Sequence, residues 1–121
     1  MLRLNQRRFK MDKQHIQDIA TTIIEQMGGS GRLQAFVGAN SFGCDEINYD
    51  GFNQPAVWFK FKMNRTMNVC RVIYEEGKDL YVVQFIKATI KGLKIVKEFT
   101  NVYAEDLIPL FENTTGLVLR F

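Results

Sequence analysis

The chain has 121 residues, 46% of them hydrophobic and 12% aromatic, which is typical of one folded domain and not of a disordered segment. No apolar run approaches the roughly 20 residues of a membrane-spanning helix, and two cysteines are too few for a disulfide framework or a zinc site. The net charge of +3 is unevenly distributed: residues 1–13 carry five basic side chains against Asp12, and residues 56–97 carry nine against three acidic ones.

Residues 1–10 are interpreted as a basic arm, and residues 11–121 as a single domain. The domain begins with apolar side chains at the spacing of one helix face: Ile16, Ile19, Ala20, Ile23, Ile24 and Met27. This spacing predicts an amphipathic helix over residues 12–27, capped by Asp12 and ended by the glycine pair 28–29. Because isoleucine is a modest helix former, we expect packing on a sheet to stabilise this helix.

Five runs predict the strands of one antiparallel sheet: residues 32–37, 57–63, 68–74, 79–87 and 91–99. The stretch 43–55 is rich in Gly, Asn and Asp, and we interpret it as a long surface loop in which Ile47, Tyr49 and Phe52 form an irregular edge strand. Alternation in residues 57–63 turns one set of side chains toward the core: Val57, Phe59, Phe61 and Met63. The same alternation turns Trp58, Lys60 and Lys62 to the outer face of the sheet.

The C-terminal part predicts a second helix over Tyr103–Asn113, with a kink or early break at Pro109. Gly116 should end this helix, and Leu117–Phe121 should dock as a short final strand. The fold class expected is therefore α+β: a single twisted antiparallel sheet of about five strands with an N-terminal and a C-terminal helix, in the order α-β-β-β-β-β-α.

The outer face of the predicted sheet combines apolar and basic side chains: Trp58, Lys60, Lys62, Val69, Arg71, Ile73, Leu80, Val82, Gln84 and Ile86. In one interpretation, a helix covers the apolar end and the lysines only keep the protein in solution. In the other, the face is an interface, because mixed apolar and basic surfaces bind proteins or nucleic acids.

The segment MGGSGRLQAFVGANSF at residues 27–42 is followed in order by Phe59-Lys-Phe61, Asp79-Leu-Tyr81, Val102-Tyr-Ala104 and Thr115-Gly-Leu117. In these motifs the chain resembles a family of small bacteriophage and prophage proteins whose first motif is Leu-Gly-Gly-x-x-Phe-x-x-x-x-Gly-Ala-x-x-Phe. The Gly-Ser-Gly insertion and Pro109 depart from that pattern. The resemblance covers roughly residues 12–119. It implies a phage or mobile-element origin and a bacterial host cytoplasm, but no activity and no site residue.

The residues give little support for an enzyme. His15 is the only histidine, so the chain holds neither a Ser/His/Asp triad nor a histidine-based metal cluster. Asp45, Glu46 and Asp50 could hold a cation, although carboxylates in a loop are usually solvated. We therefore predict a non-catalytic protein without a cofactor or metal.

Two hypotheses describe what the outer face binds. A single-stranded nucleic-acid binder would stack a base on the aromatic side chain and contact phosphates with the basic ones: Trp58, Lys60, Lys62, Arg65 and Arg71. A protein-binding accessory factor or inhibitor, for example against host defence, would dock on a host or phage protein through Ile73, Leu80, Val82 and Ile86. Strong salt dependence would favour nucleic acid. Under either hypothesis we expect a homodimer, formed face to face or by edge pairing.

Overall fold

The computed structural model describes residues 11–119 as an α+β fold, in which helices pack on one face of a five-stranded antiparallel sheet. Two helices come first, α1 (Lys13–Gln26) and α2 (Ser30–Val37), and a 3₁₀ turn (Ala104–Asp106) and α3 (Leu107–Thr115) come last. Between them lie β1 (Asn40–Tyr49), β2 (Phe52–Lys60), β3 (Val69–Glu75), β4 (Leu80–Thr89) and β5 (Gly92–Val102). The strands are adjacent in chain order. The predicted fold class is confirmed, while the predicted basic arm lies outside the described residues.

The core lies between the helices and the inner face of the sheet. Each helix contributes buried side chains: Ile23 and Met27, Leu33 and Val37, and Leu107 and Phe111. The alternation predicted for the central strands is confirmed, since Val57, Phe59, Cys70, Val72, Val83 and Phe85 all face this core. The Phe111 ring centroid lies 6.1 Å from that of Phe59, 5.2 Å from that of Phe61 and 6.0 Å from that of Phe85. This aromatic cluster fixes α3 against the sheet.

Helix α1 is found where the periodicity predicts it, and its C-terminus has a specific geometry. The Gly29 N–H donates to the Ile24 carbonyl at 2.9 Å, and the Gly28 N–H donates to the Glu25 carbonyl at 3.0 Å. These two bonds form a Schellman motif, which requires a residue at positive φ, here Gly28 at +108°. Asp12 occupies the N-cap position, but its side chain makes no capping hydrogen bond, so the predicted cap is wrong.

The prediction of a strand over residues 32–37 is wrong, because these residues belong to helix α2. Leu33 and Val37 are buried one helical turn apart, and Phe36 beside them is half-buried. A run of six residues is too short to distinguish a helical from a strand period. Gly38 closes the helix in the left-handed conformation at φ +66°, and the Ala39 N–H donates to the Leu33 carbonyl.

The prediction of a long surface loop over residues 43–55 is also wrong, because this stretch forms most of β1 and the start of β2. The edge strand predicted within it is present as β1, which contains Ile47 and Tyr49, whereas Phe52 begins β2. Tyr49 pairs with Phe52 across a two-residue turn, in which Asp50 has φ +53° and Gly51 has φ +87°. Positive φ at both positions is the signature of a type I′ hairpin, which favours Asp-Gly. Five strands are therefore present as expected, but the first lies at Asn40–Tyr49.

The second predicted helix, over Tyr103–Asn113, is present but begins at Leu107 and ends at Thr115. A 3₁₀ turn precedes it, and Pro109 occupies the third position of α3. Amides in the first helical turn have no acceptor within the helix, so Pro109 costs no hydrogen bond there. Gly116 ends the helix at φ +77°, as predicted.

The segment after Gly116 docks, but not as the predicted strand. Residues 117–119 have no regular secondary structure, and residues 120 and 121 lie outside the described part. Leu119 is fully buried in the core, and its N–H donates to the Glu112 Oε2 atom at 2.8 Å. The buried Leu119 side chain and the hydrogen bond to Glu112 thus hold this segment on the core without pairing to a strand.

The outer face of the sheet is concave, because the two edge strands approach each other across it. The Tyr49 hydroxyl on β1 donates to the Glu98 Oε2 atom on β5 at 2.8 Å. In a flat sheet, strands four places apart are about 19 Å apart, since each spacing is about 4.8 Å. Irregular register in the β1–β2 and β4–β5 pairs accompanies this curvature. We call this side of the sheet the concave face.

The placement of α1 can be tested with Ile23, which is fully buried. Replacing Ile23 with Ala should lower the free energy of unfolding by about 2–4 kcal/mol, because the change leaves a cavity. Ile90 is fully exposed at the tip of the β4–β5 hairpin, and Ile90→Ala should change stability by less than about 0.5 kcal/mol. Urea unfolding measures both variants. A similarly small loss for Ile23→Ala would contradict the packing of α1.

Candidate functional site

Three of the five residues predicted to contact nucleic acid lie together on the concave face. Trp58, Lys60 and Arg71 line a groove of about 390 Å³. Its apolar surface comes from Val69, Ile86, Ala88 and Leu93, and its β1 side from Ser41, Asp45, Glu46 and Ile47. We call this the groove. It brings together side chains from all five strands, at the end of the sheet where β2 and β4 finish.

Trp58 rests on the backbone of Gly43, its partner across β1 and β2. A Cβ atom added to Gly43 would lie 2.6 Å from the Trp58 Nε1 atom, which is closer than real Cβ contacts. The absence of a side chain at residue 43 therefore makes room for the indole. The predicted outward orientation of Trp58 is confirmed, and the side chain is half-buried. Interpretation of residues 43–55 as a loop hid the role of Gly43.

Arg71 begins a chain of hydrogen bonds that crosses the concave face. Its Nε atom donates to the Gln84 Oε1 atom at 2.8 Å, and the Gln84 Nε2 atom donates to the Glu98 Oε1 atom at 2.7 Å. The Tyr49 hydroxyl completes the chain at the other oxygen of Glu98. Burial lowers the pKa of the Arg71 guanidinium from its ordinary value, while the charge of Glu98 acts in the opposite direction.

The two other predicted contact residues, Lys62 and Arg65, lie outside the groove. Strand β2 ends at Lys60, and the Lys62 N–H donates to the Val37 carbonyl at 2.9 Å, which directs this segment toward α2. Alternation cannot be extended beyond the end of a strand. Met63 is consequently 77% exposed instead of facing the core. The Arg65 carbonyl accepts a hydrogen bond from the Lys87 Nζ atom at 3.1 Å.

The residues predicted as a protein interface do not form an exposed patch. Ile73 and Val82 have no exposed surface and Ile86 has 2%, while Leu80 is half-buried. Ile73 and Val82 form a second cluster with Ala56, packed against Ile47 and Tyr49. The expectation of exposure was wrong because the sheet curves over this region. The chain itself covers the apolar end, with β1 in place of the helix considered above.

Basic and acidic side chains lie at opposite ends of the sheet. The β2–β3 connection and the β4–β5 hairpin share the end with the groove and carry Lys60, Lys62, Arg65, Lys87, Lys91 and Lys94. The β1–β2 and β3–β4 turns share the other end and carry Asp50, Glu75, Glu76 and Asp79, with Lys78. Lys87 pairs directly with Lys94. This pair lies on the face opposite the groove, because its neighbours Ala88 and Leu93 line the groove and successive side chains alternate.

The edge strand β5 is poorly suited to pairing with a second copy of the chain, which is one way the predicted homodimer could form. The strand carries Lys94 and Lys97, and the irregular register between β4 and β5 occurs near residues 95–97. Lysines and bulges are devices that discourage pairing between sheet edges. Self-association stays a prediction, and pairing of two copies through their β5 edges is unfavourable.

Glu46 and His15, two of the side chains considered for metal binding or catalysis, have partners within the protein. The Glu46 carboxylate accepts hydrogen bonds from the Met11 N–H at 2.8 Å and the Asn53 Nδ2 atom at 2.9 Å. His15 lies at the surface, with its Nε2 atom 2.6 Å from the Glu76 Oε2 atom. Within residues 11–119, no three His, Cys, Asp or Glu side chains are placed to hold a metal ion.

Comparison with protein-family models, curated proteins and solved structures finds no match to this chain. Among the described residues, no helix is both long and apolar enough to span a membrane. The function must therefore be inferred from the groove and its surroundings.

The contact between Trp58 and Gly43 can be tested by adding one methyl group. Gly43→Ala should displace the indole, change its fluorescence emission, and lower the free energy of unfolding by about 1–3 kcal/mol. Gly31→Ala in α2 is the matched control, since nothing lies within 4 Å of the added Cβ atom. It should preserve stability or raise it by about 0.4–1 kcal/mol. Unchanged emission and stability in Gly43→Ala would contradict this contact.

The Tyr49–Glu98 bond can be tested by titration. Burial and the hydrogen bond to Glu98 raise the pKa of Tyr49 from 10.0 to about 12. The Tyr49 proton therefore stabilises the fold below pH 10, and this contribution is lost as the pH rises toward 12. Absorbance at the tyrosinate band should show late ionisation of three tyrosines. They are Tyr49, Tyr74, whose bond to Asp79 also raises its pKa to about 12, and Tyr81, whose pKa is raised by burial.

The Tyr49→Phe variant should lack one of these late ionisation steps. Its stability should also fall less steeply above pH 10 than that of the unmodified protein, because the group that loses its stabilising proton is gone. Loss of an ionisation step near pH 10 in the variant, with the late steps unchanged, would show that Glu98 and burial do not raise the pKa of Tyr49.

Proposed function

We propose that this protein binds single-stranded nucleic acid through the groove, without catalysing a reaction. The observation that carries the proposal is the half-buried Trp58, the only tryptophan of the chain, in an open groove beside the exposed Lys60. A base can stack on an aromatic ring whatever its identity, and a lysine nearby can contact the phosphate.

The distribution of charge supports this proposal. Lys60 lines the groove, and Lys91 lies at the same end of the sheet on the β4–β5 hairpin. The described residues at this end include few carboxylates, Asp45 and Glu46 on β1 being the ones that line the groove. A single-stranded DNA or RNA partner in a bacterial host cytoplasm fits the resemblance to phage proteins.

A protein-binding accessory factor is the second candidate, and the β4–β5 hairpin favours it. Ile90 is fully exposed at the hairpin tip, and Leu93 and Ile95 are 68% and 47% exposed. Exposed apolar side chains of this size mark contact surfaces for proteins. A host or phage protein docked there would bind with only modest salt dependence, whereas nucleic-acid binding weakens steeply with salt.

Titration with mixed-sequence single-stranded oligonucleotides at low salt tests the proposal. Stacking should quench the fluorescence of Trp58, and Trp58→Ala should weaken binding by about 1–3 kcal/mol. Lys60→Ala should weaken binding of every sequence and flatten its salt dependence. Lys13→Ala, an exposed lysine on α1, is the matched charge control and should bind normally. Trp58→Phe keeps a stacking surface if the alanine variant is unstable.

Two measurements together would contradict the proposal. Unchanged Trp58 fluorescence at low salt, together with no retardation of the oligonucleotide in a gel, would end the nucleic-acid hypothesis. The hairpin would then be the surface to test, with Ile90→Asp and Leu93→Asp as variants in pull-downs from the bacterial host.

A further inference from the structure

The guanidinium of Arg71 is partly buried in the groove without full neutralisation. The structure describes one hydrogen bond from it, made by Nε to Gln84, and Gln84 in turn bonds to Glu98. Within residues 11–119, no carboxylate oxygen lies within 4.0 Å of Arg71. A partly buried cation is stable when hydrogen-bond acceptors surround it. The terminal nitrogens are free to meet the acceptors of a ligand.

The groove is closed at the side where Arg71 lies. Tyr49 and Glu98 join the edge strands there, and Ile47 and Tyr49 cover the apolar cluster beyond. A nucleic-acid strand therefore cannot pass along the whole concave face. The volume of about 390 Å³ is at the small end of the range for ligand sites. One unstacked base fits this description better than a run of stacked bases.

The order of chemical groups along the groove indicates which end of a nucleotide enters first. Arg71 lies at the closed side, the apolar Ile86 and Leu93 line the groove, and the lysines lie at the open end of the sheet. Phosphates suit the lysines, and a flat base suits the space between Trp58 and the apolar side chains. The base therefore points inward, with one edge toward Arg71.

We propose that Arg71 selects guanine, by donating from its terminal nitrogens to the O6 and N7 atoms of one base inserted beside Trp58. The inference rests on the proposed nucleic-acid function. Guanine is the base whose two adjacent acceptors match the planar fork of arginine, and this is the commonest specific contact between proteins and bases. Lysine has the same charge but no such fork.

Binding of thymine tracts of about twelve nucleotides, each with one central base changed, tests the selection. A single guanine should raise affinity by about tenfold over adenine, cytosine or thymine, the discrimination of one bidentate contact. Inosine keeps O6 and N7 and should bind like guanine. The base 7-deazaguanine lacks the N7 acceptor and should lose most of the preference. These comparisons use the unmodified protein, so they do not depend on the folding of a variant.

Arg71→Lys should lose the preference for guanine, so that its affinities for the guanine-containing tract and the plain thymine tract become equal. Lys13→Ala should bind both tracts as the unmodified protein does. Equal affinity for all the tracts would overturn the role of Arg71 and leave the proposed function intact. Failure of every tract to bind would overturn both. A preference for guanine that persists in Arg71→Lys, or with 7-deazaguanine, would also overturn the inference.

Discussion

One chain of hydrogen bonds ties the two edges of the sheet together across the concave face. It runs from Arg71 through Gln84 and Glu98 to Tyr49, and so connects β3, β4, β5 and β1. Gln84 is 3% exposed, and its amide donates to one neighbour and accepts from the other, which satisfies both of its polar atoms. Because each member orients the next, the network holds the sheet in its curved shape as a unit.

Because the sheet is curved, its inner face is fully packed while its concave face is packed at one end and open at the other. The inner face packs against three helices, and the aromatic contacts of Phe111 join α3 to the central strands. The concave face packs against itself at one end, where β1 covers Ile73 and Val82. At the other end it stays open as the groove. A single five-stranded sheet thereby provides both a sealed core and a recess, although the chain is only 121 residues long.

The features that could be predicted from the sequence are those set by residues close together in the chain, such as strand alternation and helical spacing. Alternation placed Trp58 outside and Phe59 inside, and helical spacing placed α1, because each pattern repeats over several residues. The six-residue run at 32–37 fitted both periods, and the polar residues of β1 made most of this edge strand resemble a loop, although its hairpin turn is Asp-Gly. The bond between Tyr49 and Glu98 joins residues 49 positions apart. No local pattern encodes that contact, so the burial of Ile73 and Val82 was not foreseen.

The separation of basic and acidic side chains gives the described part of the chain, residues 11–119, an electric dipole along the direction of its strands. Lysines cluster at the groove end, and Asp50, Glu76 and Asp79 lie at the opposite end. A dipole of this kind turns an approaching molecule before contact, so that a polyanion meets the groove end first and an acidic protein surface is directed away from the far end. In the proposed nucleic-acid complex, the charge pattern would act on the rate and orientation of encounter, and the contacts of Trp58 and Arg71 would act on the rate of dissociation.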